Sequence, residues 1–309
     1  MVKSIMPIFL FLFSQLPLMA QSQTDSSILL DGKMITLSAI VVNKKVNIAN
    51  FIKQVINDST FYKAFRNLHL LNFTSINDIR MLNRDGSSAA TLYGKTQQIR
   101  SGNCRSMQVL EEQTTGDYYD EQHQLNYYTA QMYASLFFTN GIICGEDNIV
   151  TGREFNTKGK AGMDKHKEQL KMLFFNPGRR INGLPFMSGK TSIYDNDMAA
   201  NYNMEVDIEE HNKVNCYVFK QKVKSGMESN VVVDEMTTWF DEKTMEVTAR
   251  NYSISYNAML YDFKVLMEVQ MTHAGNLLVP AVIRYNGNWK AIFKKRERGI
   301  FTATLLDFK

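Results

Sequence analysis

The last third of the chain alternates between apolar and polar positions in short segments that end at turn residues. A period of two predicts half-buried β-strands, and strands joined by short turns predict an antiparallel sheet. The sharpest turn signal is Asn286-Gly287, because a two-residue type I′ turn needs positive φ at both centres and these residues tolerate it. The predicted strands cover residues 215–223, 231–240, 245–256, 261–271, 278–285, 288–295 and 299–308.

The first part of the chain changes from strand to helix periodicity and back. Apolar residues recur at helical spacing from Ile48 to Ile56, behind Asn47 as a candidate N-cap, and again from Phe61 to Leu68. This predicts one bent helix or two consecutive helices that end near Asn67. Alternation predicts further strands at residues 34–42, 72–83, 89–100 and 106–114.

Two more segments have helical spacing. Residues 121–139 fit a helix, although their aromatic content also suits strands, and residues 162–176 form a clearer amphipathic pattern. We therefore expect an α+β fold in which a strongly curved antiparallel sheet wraps around amphipathic helices. Residues 47–309 would form a single domain with a helical insertion at about 121–177, preceded by an N-terminal extension, residues 21–46, with a short strand.

The apolar positions leave two interpretations open. Residues 216–219 put apolar side chains on both faces of one strand, and Phe, Tyr and Met are abundant, with 19, 14 and 18 copies. The pattern fits either a large packed core or an apolar cavity between the sheet and its helices, for which flexible Met and Phe linings suit acyl chains. The candidate cavity residues are Phe51, Ile52, Val55, Phe65, Leu170, Phe174, Tyr217, Phe219, Phe263, Met267 and Val269.

The N-terminus predicts export. A basic start, an apolar run and a small residue at Ala20 follow one another in the order typical of a secretory signal peptide, residues 1–20. The protein would then reside in the periplasm or at the cell surface. The net charge of +4 and the interspersed charges do not predict nucleic-acid binding.

The three cysteines fit an oxidising compartment. Cys104 and Cys144 lie in loop-like, glycine-flanked sequence and form a candidate disulfide, which the spacing alone leaves open, while Cys216 fits a buried strand position. The sequence shows no zinc spacing, no phosphate-binding loop and no nucleophile motif. We therefore predict a non-enzymatic protein without a metal or cofactor, while a hydrolase site assembled by folding from His123 or His166 stays an alternative.

A basic cluster lies between two predicted strands, at Lys294, Lys295, Arg296 and Arg298. It fits a solvated hairpin end. The alternative is peripheral contact with anionic membrane headgroups or with an acidic partner.

Two stretches carry a resemblance to a known superfamily: FYKAFRNLHLLNFTSINDIRMLNRDGSSAATLYG, from Phe61, and TTWFDEKTMEVTARNYSISYN, from Thr237. With the signal peptide and the order of helices and strands, they resemble the LolA/LolB-like lipoprotein carriers. The resemblance implies a half-barrel, a curved antiparallel sheet around helices with a hydrophobic cavity for acyl chains. It is one of pattern and carries over no individual residue.

A second resemblance rests on the sequences of two stretches, KEQLKMLFFNPG and YNGNWKAIFKKRERGIFTATL. These stretches are similar to a secreted family of Bacteroidetes-type bacteria, which implies no activity. Two functions are expected from the sequence as a whole. One is an envelope protein that binds a lipid, a lipoprotein acyl chain or another apolar ligand, and the other is a surface structural or interaction module that contacts an envelope protein partner.

Overall fold

The computed structural model describes residues 26–30, 33–37, 48–150, 171–181, 187, 189–257, 261–291 and 295–309. Its strands are β1 (Ser26–Leu30), β2 (Lys33–Leu37), β3 (Phe73–Leu82), β4 (Ser88–Ser101), β5 (Cys104–Gly116), β6 (Ile143–Cys144), β7 (Tyr202–His211), β8 (Val214–Val223), β9 (Val233–Asp241), β10 (Val247–Asn257), β11 (Tyr261–Ala274), β12 (Leu277–Ala291) and β13 (Glu297–Leu306). Its α-helices are α1 (Ile48–Asn57), α2 (Thr60–Asn67), α3 (Tyr128–Phe137) and α4 (Asn196–Ala199), with 3₁₀ turns at Leu68–Leu70 and Glu228–Asn230. Residues 171–175 are also helical.

Eleven of the described strands form one open antiparallel sheet. The spatial order is β6-β5-β4-β3-β13-β12-β11-β10-β9-β8-β7, while β1 and β2 pair separately. Every neighbour follows in sequence except β13 and β3, which join the end of the chain to its first long hairpin through pairs such as Phe301 with Ile79. The antiparallel sheet predicted from the alternation is present, and local hairpins build nearly all of it.

One face of the sheet carries the main core, and helical residues pack on it. On α1, Phe51 contacts Phe219 of β8 and Phe240 of β9, with ring centroids 5.6 and 5.8 Å apart. On α3, the ring centroid of Tyr133 lies 4.2 Å from that of Phe301 on β13. These contacts bury one apolar stripe of each helix, as the 3.6-residue spacing requires.

Strand β8 is buried on both faces. Phe219 belongs to the main core, whereas Cys216 and Val218 point to the opposite face and are also buried. Near them, the rings of His211 and Trp239 stack 4.9 Å apart. The apolar residues on both faces of this strand therefore serve two separate packing surfaces.

The prediction of a turn at Asn286-Gly287 is wrong. Strand β12 runs straight through both residues, which pair with Leu266 and Val265 on one side and with Ile300 and Gly299 on the other. A Cβ on Gly287 would overlap the Tyr285 ring, whose Cε1 would lie 2.6 Å away. Glycine is therefore needed here for close approach of an aromatic ring to the strand and not for positive φ.

The helix predicted at 121–139 begins seven residues late, at Tyr128. The preceding residues form a turn around Asp120, whose Oδ1 accepts hydrogen bonds from the backbone N–H groups of Gln122 and Gln124 at 2.9 and 2.7 Å. Polar side chains that bond locally in this way compete with helix formation. The carboxylate of Glu297 on β13 then accepts hydrogen bonds from the first N–H groups of α3, those of Tyr128 and Thr129, at 2.9 and 2.7 Å.

Other predictions fall partly outside the described residues. The helix predicted at 162–176 is described only from 171 onward, where residues 171–175 are helical. The segment that includes α1 and α2 contains two helices and not one bent helix, and α2 ends at Asn67 as expected. No helix in the part of the chain that the structure describes is long and apolar enough to cross a membrane.

Candidate ligand cavity

A cavity of about 310 Å³ lies between the helices and one end of the sheet. This volume is at the lower end of the roughly 300–1,000 Å³ of small-molecule sites. Its lining comes from α2 and the 3₁₀ turn after it, from α3, from residues 171–175, from β3, β4, β5, β6 and β13, and from the loops beside β6. The lining residues are Tyr62, Phe65, Arg66, Leu68, His69, Phe73, Ser75, Gln98, Arg105, Ser135, Leu136, Phe137, Phe138, Ile143, Glu146, Lys171, Phe175, Ala303 and Leu305.

Eleven of the nineteen lining residues are aromatic or aliphatic. The ring centroid of Phe175 lies 4.7 Å from that of Phe65 on α2 and 6.2 Å from that of Phe137 on α3. Three helical segments therefore meet through their rings. From the sheet, Ala303 and Leu305 of β13 face the same space. A wall of this kind favours an apolar ligand or an apolar part of one.

The opposite end of the cavity is charged. The Arg105 guanidinium binds the Glu146 carboxylate with two hydrogen bonds, Nε to Oε2 at 2.5 Å and Nη2 to Oε1 at 3.3 Å. The imidazole of His69 lies beside the pair, with Nδ1 3.2 Å from Glu146 Oε1. The side chain of Arg105 is 11% exposed and that of Glu146 is 26% exposed, so water reaches the pair mainly from the Glu146 side.

The Arg105 guanidinium is held by a second group of bonds that does not involve Glu146. Its Nη1 donates to Gln98 Oε1 at 3.0 Å and to Thr139 Oγ1. Gln98 is itself anchored, because its Nε2 donates to the carbonyl oxygens of Leu68 and Leu71 at 2.7 and 2.8 Å. The guanidinium is therefore fixed to the end of the 3₁₀ turn that follows α2.

The segment 139–149 brings Glu146 to this position. Cys144 is joined to Cys104 by a disulfide, and β6 pairs with β5 at Cys104 and Arg105. Beyond it, Asp147 pairs with Arg66 at 3.0 Å. The segment has no other strand pairing among the described residues, so a covalent bond and a few polar contacts hold it against the cavity.

The environment favours the ionised form of Glu146. Burial by itself would raise its pKa, but the contacts with His69 and Arg105 outweigh burial and lower the pKa of Glu146 to about 2. The pair is therefore charged over the whole physiological pH range.

A second, much smaller void of about 10 Å³ lies between α3 and the sheet. It has room for about one water molecule. Rings enclose it, among them Tyr285 and Phe301, which stack 4.2 Å apart, and Trp289, which stacks 4.9 Å from Phe263. This part of the molecule is packed core.

The structure brings few of the predicted cavity residues to the larger cavity. Phe65 lines it, Phe174 lines the small void, and Leu170 lies outside the described residues. Tyr217 is half-buried with its ring 5.5 Å from Phe51. The others lie in the packed core: Phe51, Ile52, Val55, Phe219, Phe263, Met267 and Val269.

The charged end was missed by sequence reasoning. Arg105 directly follows Cys104, and Glu146 lies two residues after Cys144. Had the candidate disulfide been used as a distance restraint, it would have placed these two opposite charges side by side.

Two residues of the basic cluster, Arg296 and Arg298, make contacts within the protein. Arg296 pairs with Asp262 and donates to Asn288 Oδ1 at 2.6 Å, and Arg298 donates to the Arg84 carbonyl oxygen at 2.8 Å. Lys295 is exposed, and Lys294 lies outside the described residues. No group of three His, Cys, Asp or Glu side chains that could hold a metal ion occurs among the described residues.

No protein-family model matches the sequence, and no curated protein matches it either. The solved structures to which the chain is similar include a domain described as an outer membrane lipoprotein-sorting protein from Vibrio parahaemolyticus. That similarity has 8% identity and a TM-score of 0.26, and it covers 79% of this chain and 88% of the other.

Two further similar structures are a DUF1329 family protein from Desulfovibrio piger and a LolA superfamily protein from Nitrosomonas europaea. The first has 9% identity, a TM-score of 0.25, and coverage of 81% of this chain and 93% of the other. The second has 10% identity, a TM-score of 0.26, and coverage of 81% and 91%. At TM-scores this low the likenesses carry no argument about function, which has to rest on the chain's own geometry.

Proposed function

We propose that this chain is a non-enzymatic protein of the cell envelope that binds a lipid, a lipoprotein acyl chain or another apolar ligand between its sheet and its helices. The observation that supports this most directly is the 310 Å³ cavity with rings from α2, α3 and residues 171–175 on one side and β13 on the other. In this proposal the sheet curves around the helices as a LolA-like half-barrel, and the cavity is its concave side.

Ligand binding is tested by filling the cavity. Ala303 lines the cavity on β13, whereas its neighbour Thr304 points to the other face of the sheet. In Ala303→Phe we expect a ring to occupy the apolar space and to weaken binding of an environment-sensitive apolar dye about tenfold or more, since apolar contact area drives its affinity.

The matched control for this variant is Thr304→Phe, which adds the same ring on the same strand without entering the cavity. Native mass spectrometry of the purified wild-type protein supplies an independent readout of bound lipid. If the wild-type protein binds no apolar dye and carries no lipid, or if both variants bind the dye equally well, the proposal is wrong.

Export is part of the proposal. Residues 1–20 lie outside the described residues, so the signal peptide rests on the sequence pattern alone. Expression with residues 1–20 should yield a processed protein in the envelope fraction whose mass corresponds to cleavage near Ala20. Retention of the unprocessed chain in the cytoplasm would contradict it. Peripheral membrane contact through the basic cluster at Lys294, Lys295, Arg296 and Arg298, and membership of the Bacteroidetes-type secreted family, stay predictions.

One observation favours the alternative of a surface interaction module. Among the described residues, β5 pairs with β6 only at Cys104 and Arg105, so its remainder forms an open sheet edge on which Val109 and Leu110 are 61% and 47% exposed. Open edges can accept a strand from a partner protein. A photocrosslinking residue at Gln108 should then form one defined adduct in cells, and the same residue at Thr302 should not. Equal labelling at both sites would count against this function.

A further inference from the structure

The charged end of the cavity contains an arginine whose partner is a carboxylate on a surface segment. We propose that the cavity selects single-chain amphiphiles with a carboxylate headgroup, and that this headgroup replaces Glu146 at Arg105. The inference rests on the proposed function, because it requires that the apolar part of the ligand occupies the same cavity. It goes further by naming the headgroup, the residue that recognises it and the residue that competes with it.

The first support is the charge of the lining. The guanidinium groups of Arg66 and Arg105 line the cavity together with His69 and one carboxylate, that of Glu146. Arg66 has its own partner in Asp147, outside the lining. The guanidinium donors in the lining can bind a carboxylate through charge-assisted hydrogen bonds, which a cation or a neutral headgroup cannot form there.

The second support is the geometry of Arg105. Its Nε and Nη2 present the two-pronged arrangement that fits a carboxylate, and the Glu146 carboxylate shows that the space in front of it accepts two oxygens. The bonds from Nη1 to Gln98 and Thr139 keep the guanidinium oriented without Glu146. The binding group is thus preorganised for an incoming carboxylate, which lowers the cost of binding.

The third support is the partial exposure of Glu146. It lies on the segment 139–149 with about a quarter of its side chain exposed, so it can exchange contacts in the cavity for water. Arg105, by contrast, is nearly buried, and without an anionic partner its charge would be uncompensated. When a ligand carboxylate takes the place of Glu146, Arg105 therefore keeps an anionic partner, and the Glu146 carboxylate faces water.

The test measures binding of three probes by calorimetry at neutral pH: decanoate, decanol and acetate. Wild-type protein should bind decanoate about tenfold or more tightly than decanol, since only a carboxylate can take the place of Glu146 and leave Arg105 with an anionic partner. Acetate should bind far more weakly than decanoate, because it lacks the chain that fills the apolar end.

Two variants then separate competition from a structural role. Glu146→Gln removes the competing charge and should strengthen decanoate binding several-fold while leaving decanol binding unchanged. Arg105→Gln should abolish the preference for decanoate over decanol. The matched control is Glu209→Gln, since Glu209 pairs with Lys220 at the surface, 3.1 Å away, and should leave all three affinities as in the wild type.

The outcomes distinguish the two proposals. Equal affinity for decanoate and decanol in the wild type would overturn the headgroup inference and leave apolar binding standing. Absence of binding by both would overturn both proposals. Weaker decanoate binding in Glu146→Gln would also overturn the inference, because Glu146 would then assist the ligand and not compete with it. The wild-type comparison needs no variant, so the inference stays testable even if Arg105→Gln does not fold.

Discussion

Two arginine–carboxylate pairs in this molecule have the same chemistry and opposite surroundings. The core pair, Arg250 with Asp58, lies between the junction of α1 and α2 and the inner face of β10. The cavity pair, Arg105 with Glu146, lies at the end of the cavity. Both side chains of the core pair are 8% exposed, whereas Glu146 in the cavity pair is 26% exposed.

The contacts differ as much as the exposure. In the core pair Arg250 Nη2 lies 3.7 Å from Asp58 Oδ2, its Nε donates to Thr238 Oγ1 at 2.9 Å, and its guanidinium stands over the Phe61 ring, 4.3 Å from the centroid. Burial lowers the pKa of Arg250, and the nearby Asp58 opposes that effect.

The difference shows which pair is available for function. The core pair is enclosed by the core, and a partner lost there leaves a buried charge with nothing to replace it. The cavity pair adjoins an open volume, and a ligand or water can take the place of one member. The core pair should therefore stabilise the fold, and the cavity pair should respond to ligand and to pH.

The largest expected effect is the loss of Asp58. Asp58→Ala leaves Arg250 uncompensated and removes the bonds that Asp58 Oδ1 accepts from Thr60 at the start of α2, 2.8 Å from N and 2.6 Å from Oγ1. We expect the free energy of unfolding in urea to fall by about 3–5 kcal/mol. The double variant with Arg250→Met should regain part of it, since the buried charge is gone.

The matched control for the core pair is Asp78→Ala. Asp78 pairs with Arg80 at 2.7 Å, but both side chains are exposed, so the loss should stay below about 1 kcal/mol. If Asp58→Ala costs no more than Asp78→Ala, the core pair does not stabilise the fold in the way described.

The next effect concerns the disulfide that holds the cavity pair in place. Cys104→Ser with Cys144→Ser opens a loop whose ends are 40 residues apart, and such a loss should cost about 2–4 kcal/mol. Amide hydrogen exchange should rise in the segment 139–149 and not around Arg250, because only the cavity pair depends on β6.

Reduction provides the control for the disulfide. The wild-type protein should lose stability on treatment with a thiol reductant, whereas the double serine variant should not change, since its remaining cysteine, Cys216, is free. Faster exchange throughout β8 to β10 in the double variant would contradict the independence of the two regions.

A smaller effect is expected at Gly287 on β12, where the constraint is purely steric. Gly287→Ala places a methyl group against the Tyr285 ring and should destabilise by about 1–3 kcal/mol, independently of pH and salt. Gly189→Ala is the control, because nothing lies within 4 Å of a Cβ there. An equal, negligible effect at both positions would show that Tyr285 can move aside without cost.

Gly287 also shows where sequence reasoning succeeded and failed. Alternation predicted the long strands well, because burial of one sheet face imposes a period of two directly on the sequence. The signature of Asn-Gly is the same whether glycine supplies positive φ or makes room for a ring, and only the pairing of β12 with both neighbours decides between them.

The site was harder to predict for a different reason. Apolar residues such as Phe51 and Phe263 are required equally by a packed core and by a cavity wall, so composition cannot distinguish the two. The cavity pair depends on residues 41 positions apart that one disulfide and a two-residue strand bring together. Contacts of this kind are set by the tertiary fold and leave no periodic signal.

The smallest effect is the pH dependence of the cavity pair. The pKa of Glu146 is lowered from 4.5 to about 2 in the folded protein, so the group contributes stability above its unfolded pKa and loses it as the pH falls from about 5 towards 2. Glu146→Gln should be roughly 1 kcal/mol less stable than the wild type at pH 7, given the partial exposure of the pair, and the difference should shrink to nothing near pH 2. Urea unfolding at a series of pH values measures it, with Glu209→Gln as a control whose exposed pair should give little difference at any pH. A difference between Glu146→Gln and the wild type that stays constant from pH 7 to pH 2 would mean that the carboxylate acts by its shape and not by its charge, and Arg105 would then have no reason to accept another carboxylate in its place.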